Sequence, residues 1–239
     1  MSLYLSGLRK EYRRERLDEA TAAADPLSMF EEWFAEAAES GLVEPNAMTL
    51  ATATPEGKPS ARVVLLKDFD ATGFSFFTNY ASRKGQEIAA NPFAALTFWW
   101  GPLERQIRIE KRVEKLDADE SGAYFASRPQ GSRLGAWVSH QSAVIPDRAV
   151  LEDAAATWRR STATKRRRAR RTGAATEVIP AVYEFWQGGL HRLHDRLRCT
   201  PGRRRVGSAS PVAVGCAHHV PARVAGRSAR RRAASWPTS

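Results

Sequence analysis

The stretch "AMTLATATPEGKPSARVVLLK", residues 47–67, decides the fold because it contains two strand patterns joined by a turn. Residues 47–54 and 60–67 are rich in β-branched and apolar side chains, which favour strands. The intervening "PEGK" combines proline and glycine, the residues that most often mark turns. The sequence therefore predicts a β-hairpin here and an antiparallel sheet that grows from it.

The strand pattern continues through the rest of the chain, with helices between the strands. Strands are predicted over residues 73–79, 93–100, 105–116, 178–188 and 191–198, and helices over 82–91 and 146–160, with another helix beginning at 117. A first helix has Asp25 as its N-cap and ends at Gly41, and its apolar stripe is Leu27, Phe30, Phe34, Ala37 and Ala38. Because short turns join the strands, the pattern predicts an antiparallel barrel with α+β character.

Length and composition limit the class of protein. A chain of 239 residues with 43% hydrophobic residues can bury the core of one large domain or two small ones. The sequence has no apolar run of about eighteen residues and no signal-peptide pattern, so we expect a cytoplasmic protein without a membrane partner. It also lacks the glycine-rich motifs of Rossmann and P-loop nucleotide sites.

The net charge of +11 comes from two segments. Residues 161–176 carry six basic side chains and residues 199–239 carry eight, and neither segment contains an acid. Without them the chain is slightly acidic, so we expect no nucleic-acid partner for the folded body. Both cysteines, Cys199 and Cys216, lie in the second segment. This predicts a body without disulfides, cysteine nucleophiles or a thiolate metal site.

Several basic side chains in the body stand where an anion would bind. Arg62 and Lys67 lie on opposite faces of a regular strand, so one site could use both only if the strand lies between two ligand groups or contains a local bulge. Solvation of the strand end is the simpler explanation of this pair. Arg83 and Lys84 follow Ser82, a predicted N-cap. Cations there suit a phosphate that also binds the free backbone N–H groups of the helix. Solvation of an exposed helix explains the same pair equally well.

A third group consists of Tyr124, Arg128 and Ser132, which recur at four-residue spacing. Pro129 interrupts the helix that this spacing suggests, so Arg128 and Ser132 are expected in a turn after it. Hydroxyl and guanidinium groups together suit a phosphate. Helix capping and a surface role explain the spacing at least as well.

The fourth group lies in "EFWQGGLHRLHDR", residues 184–196. On a strand, Arg192, His194 and Arg196 share one face, and cationic groups in a row are costly to bury without an anion or an electron-rich partner. The Gly-Gly pair permits a tight turn and the close approach of a flat ligand. Together with the tryptophans of the body, the four groups fit two phosphorylated flat ligands better than one.

These motifs together resemble pyridoxine/pyridoxamine 5′-phosphate oxidase. The resemblance lies in "RVVLLK" (62–67), "FFTNYASRKGQEIAANP" (76–92), "LERQIRIEKRVEKL" (103–116), "YFASRPQGSRLGAWVSHQS" (124–142) and "EFWQGGLHRLHDR" (184–196). That family implies a homodimeric, FMN-binding split β-barrel of six antiparallel strands with active sites at the dimer interface. It implies oxidation of pyridoxine or pyridoxamine 5′-phosphate to pyridoxal 5′-phosphate, with hydride transfer to FMN and reoxidation by O2 to hydrogen peroxide.

The resemblance also implies the residues of the site. FMN contacts fall on Arg62, Val63, Val64, Leu65, Leu66, Lys67, Phe77, Thr78, Arg83, Lys84, Gln106, Gln141, Ser142, Trp186 and Arg196. Substrate contacts fall on Lys67, Tyr124, Arg128, Ser132, Arg192 and His194, with weaker contacts from Arg9 and Tyr12 on an N-terminal arm. Arg192 and His194 are the implied catalytic pair, which would press the pyridine ring against the flavin. No metal is implied.

Two segments, 161–177 and 199–239, depart from the family pattern. Our hypothesis is that both are out-of-frame translations of a GC-rich gene, which an unbroken frame found on resequencing would contradict. The expected organisation is a mobile arm over 1–24 and a split-barrel domain over 25–198, followed by a disordered basic tail. Loss of the family's closing strand would expose a sheet edge.

Other functions remain compatible with the sequence. The chain could be another split-barrel flavoprotein, such as a flavin reductase, or an inactive copy that kept the motifs. The pairs Arg128 with Ser132 and Arg192 with His194 favour a phosphorylated pyridine. A nucleic-acid-binding protein that uses its basic tail is a third alternative, and salt-dependent DNA binding that requires the tail would support it.

Overall fold

The computed structural model describes residues 11–12, 16–18, 22–23, 25–116, 134, 138, 141–162, 173–201 and 214–218. Its helices there are α1 Pro26–Glu39, α2 Arg83–Ala90 and α3 Ala149–Thr162. The strands are β1 Ala47–Ala53, β2 Pro59–Phe69, β3 Phe74–Asn79, β4 Phe93–Trp100, β5 Arg105–Lys115, β6 Gly173–Gln187, β7 Asp195–Pro201 and β8 Val214–His218. None of the helices within these ranges combines the length and the apolar character needed to span a membrane. The predicted helix beginning at 117 lies outside the described residues.

Six of the strands close into an antiparallel barrel. Their order is β3-β2-β1-β4-β5-β6, and β6 pairs back with β3. The hairpin of β1 and β2 has the predicted turn, in which the Thr54 N–H donates to the Lys58 carbonyl at 3.0 Å. Gly57 adopts a left-handed φ of 82° in that turn, which glycine permits without strain. The predicted six-stranded split β-barrel of the α+β class is confirmed.

Alternation along the strands separates the core from the outer face of the sheet. An inward row across β4 to β7 is fully buried and consists of Phe98, Ile107, Phe185 and Leu197. Adjacent residues on a strand face opposite sides. The next row along the same four strands therefore faces outward, and it consists of Trp99, Gln106, Trp186 and Arg196. Three of these four residues are predicted FMN contacts.

Helix α1 packs against the core through a face centred on Phe30. That side chain is fully buried, and its ring centroid lies 4.8 Å from that of Phe74. Asp25 caps the helix as predicted, because its carboxylate accepts the Ser28 N–H at 2.9 Å. The buried residues are Pro26, Met29, Phe30, Trp33 and Ala37. The predicted stripe is wrong at Ala38, which is exposed, because the helix is rotated so that Trp33 packs against the barrel.

The last predicted strand pair needs a correction at its turn. Strand β7 begins at Asp195, and Leu190–Arg192 form a 3-10 turn. Two residues of that turn have left-handed backbones, with φ values of 55° at His191 and 64° at Arg192. The strand argument that placed Arg192 and His194 on one face is therefore wrong, although both still precede the strand directly.

The C-terminal part contains more regular structure than the sequence suggests. Strand β6 begins at Gly173, inside the basic segment 161–177, and pairs with both β3 and β5. Strand β8 lies within the tail, where disorder is expected, and pairs antiparallel with β7. It covers the β7 edge that the altered C-terminus was expected to expose. Cys199 is disulfide-bonded and lies opposite Cys216, the other cysteine of the chain.

Candidate functional site

Two of the predicted cofactor-binding cations converge on one carboxylate. Arg83 Nε lies 2.8 Å from Oε1 of Glu87, one turn further along α2. A terminal guanidinium nitrogen of Arg62 lies 3.3 Å from Oε2 of the same side chain. Arg62 also donates to the hydroxyl of Thr52 at 2.6 Å and to that of Ser60. We call Arg62, Arg83, Lys84 and Glu87 the anion cluster.

Glu87 is ionised under all ordinary conditions. Its side chain is 6% exposed, and burial alone would raise its pKa. Hydrogen bonds from Ser60, Thr52, Arg83 and Arg62 outweigh burial and lower the pKa of Glu87 to about 2. The carboxylate therefore offsets one of the three positive charges of the anion cluster and leaves a net charge of about +2.

Lys84 is the buried cation of the anion cluster. Its side chain is 9% exposed, and Nζ donates to Oε1 of Gln141 at 2.8 Å. Burial, and secondly the charge of Arg62, lower the pKa of Lys84. A desolvated ammonium group beside a guanidinium group is costly unless an anion joins them. Simple solvation of an exposed helix therefore does not explain Lys84, although it fits Arg83, whose side chain is 63% exposed.

A bulge in β2 bears on the predicted use of Arg62 and Lys67 together. Leu66 pairs with Phe76, but Asp68 pairs with Ser75, so Lys67 is the extra residue on β2. A bulge ends the strict alternation that would place Arg62 and Lys67 on opposite faces. One of the two arrangements that would let a single site use both side chains, a local bulge, is thus present.

The outward row forms a second group of predicted cofactor contacts. Gln106 lies opposite Trp186 in the register of β5 and β6, and Trp186 lies opposite Arg196 in that of β6 and β7. Trp99, which is 51% exposed, has its ring centroid 6.0 Å from that of Trp186. The row thus presents aromatic faces, an amide and a guanidinium group side by side, a combination that suits a flat ring with polar edges.

A buried carboxylate lies beneath Arg196. Glu184 is 4% exposed, and its Oε1 lies 3.6 Å from Arg196 Nε, which is too long for a hydrogen bond. Both atoms are buried without a hydrogen-bond partner. The Arg196 side chain is 31% exposed even though its Nε is buried, so the rest of the guanidinium group can donate to a cofactor with acceptor atoms along its edge.

His194 is held as a neutral ring at the end of the row. Its Nδ1 accepts the Gly189 N–H at 3.1 Å, so the ring proton is on Nε2. Burial, followed by the charges of Arg192 and Arg196, lowers the pKa of His194 against the opposing effect of Asp195. The ring centroid lies 4.7 Å from that of Trp186. His194 can therefore donate one hydrogen bond from Nε2 at neutral pH.

The turn before His194 is strained. Left-handed backbones are uncommon outside glycine and cost on the order of 1 kcal/mol each. Both His191 and Arg192 adopt them, and both are exposed. Gly189 makes the turn possible, because a Cβ at that position would overlap the Leu193 carbonyl. Strain of this kind is typical of functional sites, and here it fixes the direction of the chain at Arg192.

An N-terminal segment packs over the ring of His194. The Tyr12 ring centroid lies 5.6 Å from that of His194 and 5.7 Å from that of Trp186, edge-on in both cases. The Leu17 N–H donates to the Asp195 carboxylate at 3.0 Å. The structure thus brings Tyr12, a predicted substrate contact, to the outward row.

The predicted site residues form two separate groups within one chain. The anion cluster lies on β2 and α2, and the outward row lies on β4 to β7. In the sheet order, β1 separates β2 from β4. Among the described side chains, no hydrogen bond or ion pair connects the two groups. Val63 is exposed and Leu66 is buried, so the β2 contacts present different faces. Arg9, Tyr124, Arg128 and Ser132 lie outside the described residues.

Sequence reasoning missed the two buried carboxylates. Glu87 follows Arg83 at helical spacing, and Glu184 precedes Trp186 by two residues on the same strand face. Those spacings are visible in the sequence, but each is common on ordinary surfaces. Their burial, which distinguishes them, depends on tertiary packing.

Comparison with known proteins identifies two family regions. Residues 34–161 match the model described as pyridoxamine 5′-phosphate oxidase, and residues 175–208 match the C-terminal dimerisation region of pyridoxine 5′-phosphate oxidase. The interval between the two matches falls in the basic segment. The second match extends beyond Arg198, where the sequence resemblance was expected to end.

Curated relatives carry the name of the same family, and solved structures share the fold. The chain is 52% identical over 200 residues to a pyridoxine/pyridoxamine 5′-phosphate oxidase of Trichormus variabilis, covering 84% of this chain and 94% of the relative. It is 54% identical over 193 residues to the enzyme of that name from Burkholderia multivorans, covering 81% and 90%. PhzG from Burkholderia lata, solved with tetrahydrophenazine-1-carboxylic acid, superposes with a TM-score of 0.77 at 26% identity, covering 89% of this chain and all of PhzG. An FMN-binding protein from Nostoc punctiforme has the same fold, with a TM-score of 0.64 at 15% identity and coverage of 83% and 100%.

Proposed function

The chain belongs to the pyridoxine/pyridoxamine 5′-phosphate oxidase family of FMN-dependent oxidoreductases, and we propose that it oxidises pyridoxine or pyridoxamine 5′-phosphate to pyridoxal 5′-phosphate. The observation that supports this most directly is the arrangement of the outward row. The neutral ring of His194 lies beside Trp186 of that row, and the strained turn at Arg192 comes just before His194. Bound FMN would supply the redox chemistry: it would take a hydride from the substrate carbon while the alcohol or amine group loses a proton, and O2 would take up the two electrons as hydrogen peroxide. The imine formed from the amine substrate would then react with water to give the aldehyde and ammonia.

The anion cluster is proposed to bind the phosphate of FMN. Arg62 and Arg83 offer guanidinium groups, and Lys84 offers a buried ammonium group. The net charge of the cluster is about +2, which balances a phosphate monoester that carries about −1.5 to −2 at pH 7. Further proposed FMN contacts are residues 62–67 of β2, Phe77, Thr78, Gln141 and Ser142.

The outward row is proposed to hold the ring system of FMN and, against it, the substrate. Arg196 would donate to an acceptor on the ring edge from the exposed part of its guanidinium group. His194 would donate from Nε2 to a polar substituent of the pyridine, and Arg192 would cover the ring and stabilise negative charge that develops on it. Orientation of two flat rings and electrostatics are the contributions of these side chains.

The substrate phosphate is proposed to bind Lys67, Tyr124, Arg128 and Ser132, with Arg9 and Tyr12 contributing from the N-terminal arm. Hydroxyl and cationic groups are suitable donors to a phosphate. Lys67 belongs to the bulge of β2, so both phosphates would lie near the same strand.

A homodimer is proposed to complete each active site. The chain carries the family's C-terminal dimerisation region. Within one chain the anion cluster and the outward row are separate, so the cluster of one protomer would face the row of its partner across the interface. We also propose a cytoplasmic location, since the reaction needs only small soluble substrates and O2.

A visible absorption spectrum of the full-length chain with FMN tests the function. The protein is expected to retain FMN through gel filtration, and anaerobic pyridoxine 5′-phosphate is expected to bleach the flavin absorbance, which air then restores. Retained FMN that does not bleach would contradict the proposed substrate. Reduction by a nicotinamide cofactor instead would indicate a flavin reductase, and loss of FMN on the column would indicate an inactive copy.

The structural likeness to PhzG gives a second candidate function, the oxidation of tetrahydrophenazine-1-carboxylic acid, the compound with which PhzG was solved. The lower identity to PhzG than to the B6-phosphate oxidases argues against it. The same spectrum recorded with tetrahydrophenazine-1-carboxylic acid distinguishes the two candidates, and we expect no bleaching.

The atypical segments are still proposed to arise from a shifted reading frame, except for residues 175–177 and 199–208, which fall inside the second family match. The interval between the two family matches, after residue 161 and before residue 175, supports this for the first segment. A frame-corrected chain is expected to retain FMN at least as tightly as the present chain. Resequencing that finds one unbroken frame would rule out a sequencing error.

Substitution of Gly188 tests the proposed role of Tyr12. A Cβ at Gly188 would lie 2.7 Å from Tyr12 Cγ, so Gly188→Ala displaces the tyrosine from Trp186 and His194. Edge-on aromatic pairs contribute about 0.5–1.5 kcal/mol, so KM for pyridoxine 5′-phosphate should rise about three- to tenfold, with FMN affinity unchanged. Tyr12→Ala should give the same rise, and the double variant should add nothing. Additive effects would show that Gly188 acts independently of Tyr12.

A further inference from the structure

We propose that Glu87 is a positioning residue of the phosphate site, which fixes Arg62 and Arg83 so that the protein selects the phosphorylated flavin over riboflavin. The inference rests on the proposed role of the anion cluster in binding the phosphate of FMN. Glu87 itself would repel a phosphate, so its effect acts through the two arginines.

The carboxylate joins three elements at one point. The hydroxyls of Thr52 and Ser60, which lie opposite each other on β1 and β2, both donate to Oε2 at 2.5 Å. Arg62 reaches the same oxygen from β2, and Arg83 reaches Oε1 from the first turn of α2. Both carboxylate oxygens are thus occupied, and two cations from different elements are held at a fixed separation.

Fixation matters most for Arg83. Its side chain is 63% exposed, whereas that of Arg62 is 23% exposed and is also held by the Leu50 carbonyl. A free arginine on a helix surface samples many rotamers, and binding would have to order it. Because Glu87 already orders it, less conformational entropy is lost when the phosphate binds.

If only net charge mattered, removing the Glu87 carboxylate would strengthen FMN binding, whereas a positioning role predicts weaker binding. The direction of the change in FMN affinity therefore distinguishes the two explanations. Removing the carboxylate raises the net charge of the cluster, which by Coulomb attraction would strengthen phosphate binding. It also leaves three cations together without a counter-charge, which drives Arg83 into solvent and favours the neutral form of Lys84. We expect the loss of ordered positive charge to exceed the Coulomb gain, because two of the three cations then contribute less.

The test compares FMN with riboflavin, which carries the same ring without the phosphate. Dissociation constants are measured by flavin fluorescence for the full-length apoprotein and for Glu87→Gln. The wild type should bind FMN more tightly than riboflavin. The variant should lose about tenfold or more in FMN affinity, while its riboflavin affinity stays within about twofold.

A matched control exists on α3. Arg148 and Glu152 form an i,i+4 pair with the same 2.8 Å distance from Nε to Oε1, but both are exposed and lie outside the site. Glu152→Gln should change neither affinity. Ser60→Ala, which removes one hydroxyl from the Glu87 carboxylate, should weaken FMN about threefold without affecting riboflavin, and it serves if Glu87→Gln does not fold.

Three results would overturn the inference. Unchanged or tighter FMN binding by Glu87→Gln and Ser60→Ala would show that charge dominates. Equal losses for FMN and riboflavin would show that Glu87 only supports the fold. A wild type that binds FMN no more tightly than riboflavin would refute the proposed phosphate site itself, and with it this role of Glu87.

Discussion

Replacing Lys84 with methionine is expected to weaken FMN binding by about 100-fold while leaving the free energy of unfolding unchanged or higher. Lys84 is 9% exposed and lies beside Arg62, whose charge, after burial, lowers the Lys84 pKa. The proposed charge pair is Lys84 with the phosphate of FMN. Truncating one partner of a buried charge pair costs about 2–5 kcal/mol in binding, which corresponds to a factor of about 30 to several thousand in the dissociation constant. Methionine fills a similar volume without the desolvation penalty, so the unliganded protein should not lose stability.

The measurement pairs FMN titration with urea unfolding of the apoprotein. Lys58→Met, at an exposed turn of the β1–β2 hairpin, is the control and should leave FMN affinity within about twofold.

FMN affinity of the wild type should also fall as pH rises, because deprotonated Lys84 no longer attracts the phosphate. The fall should begin below the ordinary lysine pKa of about 10.5. Lys84→Met should lack that part of the pH dependence. Wild-type FMN affinity in the variant would show that Lys84 is not a phosphate ligand.

The barrel could be predicted from the sequence because its signals are local. Alternating burial in β1 and the proline-glycine turn after it are both readable within about twenty residues. The N-caps Asp25 and Ser82 were predictable for the same reason, since a capping side chain bonds a backbone N–H two or three residues ahead. Neither signal depends on which strands later become neighbours.

The anion cluster could be predicted only in part. Arg83 and Lys84 stand out because cations at a helix N-terminus are unfavourable without an anion. That Arg62 meets the same carboxylate as Arg83 depends on the packing of α2 against the β1–β2 hairpin, which no periodicity reports. The contrast between a buried Lys84 and an exposed Arg83, adjacent in the sequence, likewise follows from tertiary packing.

The segment before β7 misled the strand prediction for a physical reason. Arg192, His194 and Arg196 recur at every second position, as on one face of a strand, yet the backbone turns at Leu190–Arg192. The turn is imposed by the fit of Gly189 against the Leu193 carbonyl and by the hydrogen bond from Gly189 to His194. Such a fit is a property of the folded chain, and the strain it creates at two non-glycine residues goes against their local propensity.

That turn leads to the second large effect, which is expected for Arg192→Ala. The variant should lower kcat/KM for pyridoxine 5′-phosphate by about 10- to 100-fold and leave FMN affinity within about twofold. Hydrogen bonds to charged groups contribute about 1.5–3 kcal/mol, and that range converts to the stated factor. Arg198→Ala is the matched control, because Arg198 is also exposed but lies further along β7, and it should leave kcat/KM nearly unchanged.

The pH profile distinguishes a direct role of Arg192 from a general loss of structure. Burial lowers the His194 pKa most, and the charge of Arg192 is the next cause. Removing that charge should raise the His194 pKa toward the ordinary value of about 6.5. If catalysis requires neutral His194, activity is lost at low pH when the ring becomes protonated. Because the His194 pKa is higher in Arg192→Ala, the acidic limb of kcat/KM moves to higher pH in that variant but not in Arg198→Ala. A uniform loss of activity with an unshifted acidic limb would separate Arg192 from His194, and it would contradict a site in which the two act on the same ring.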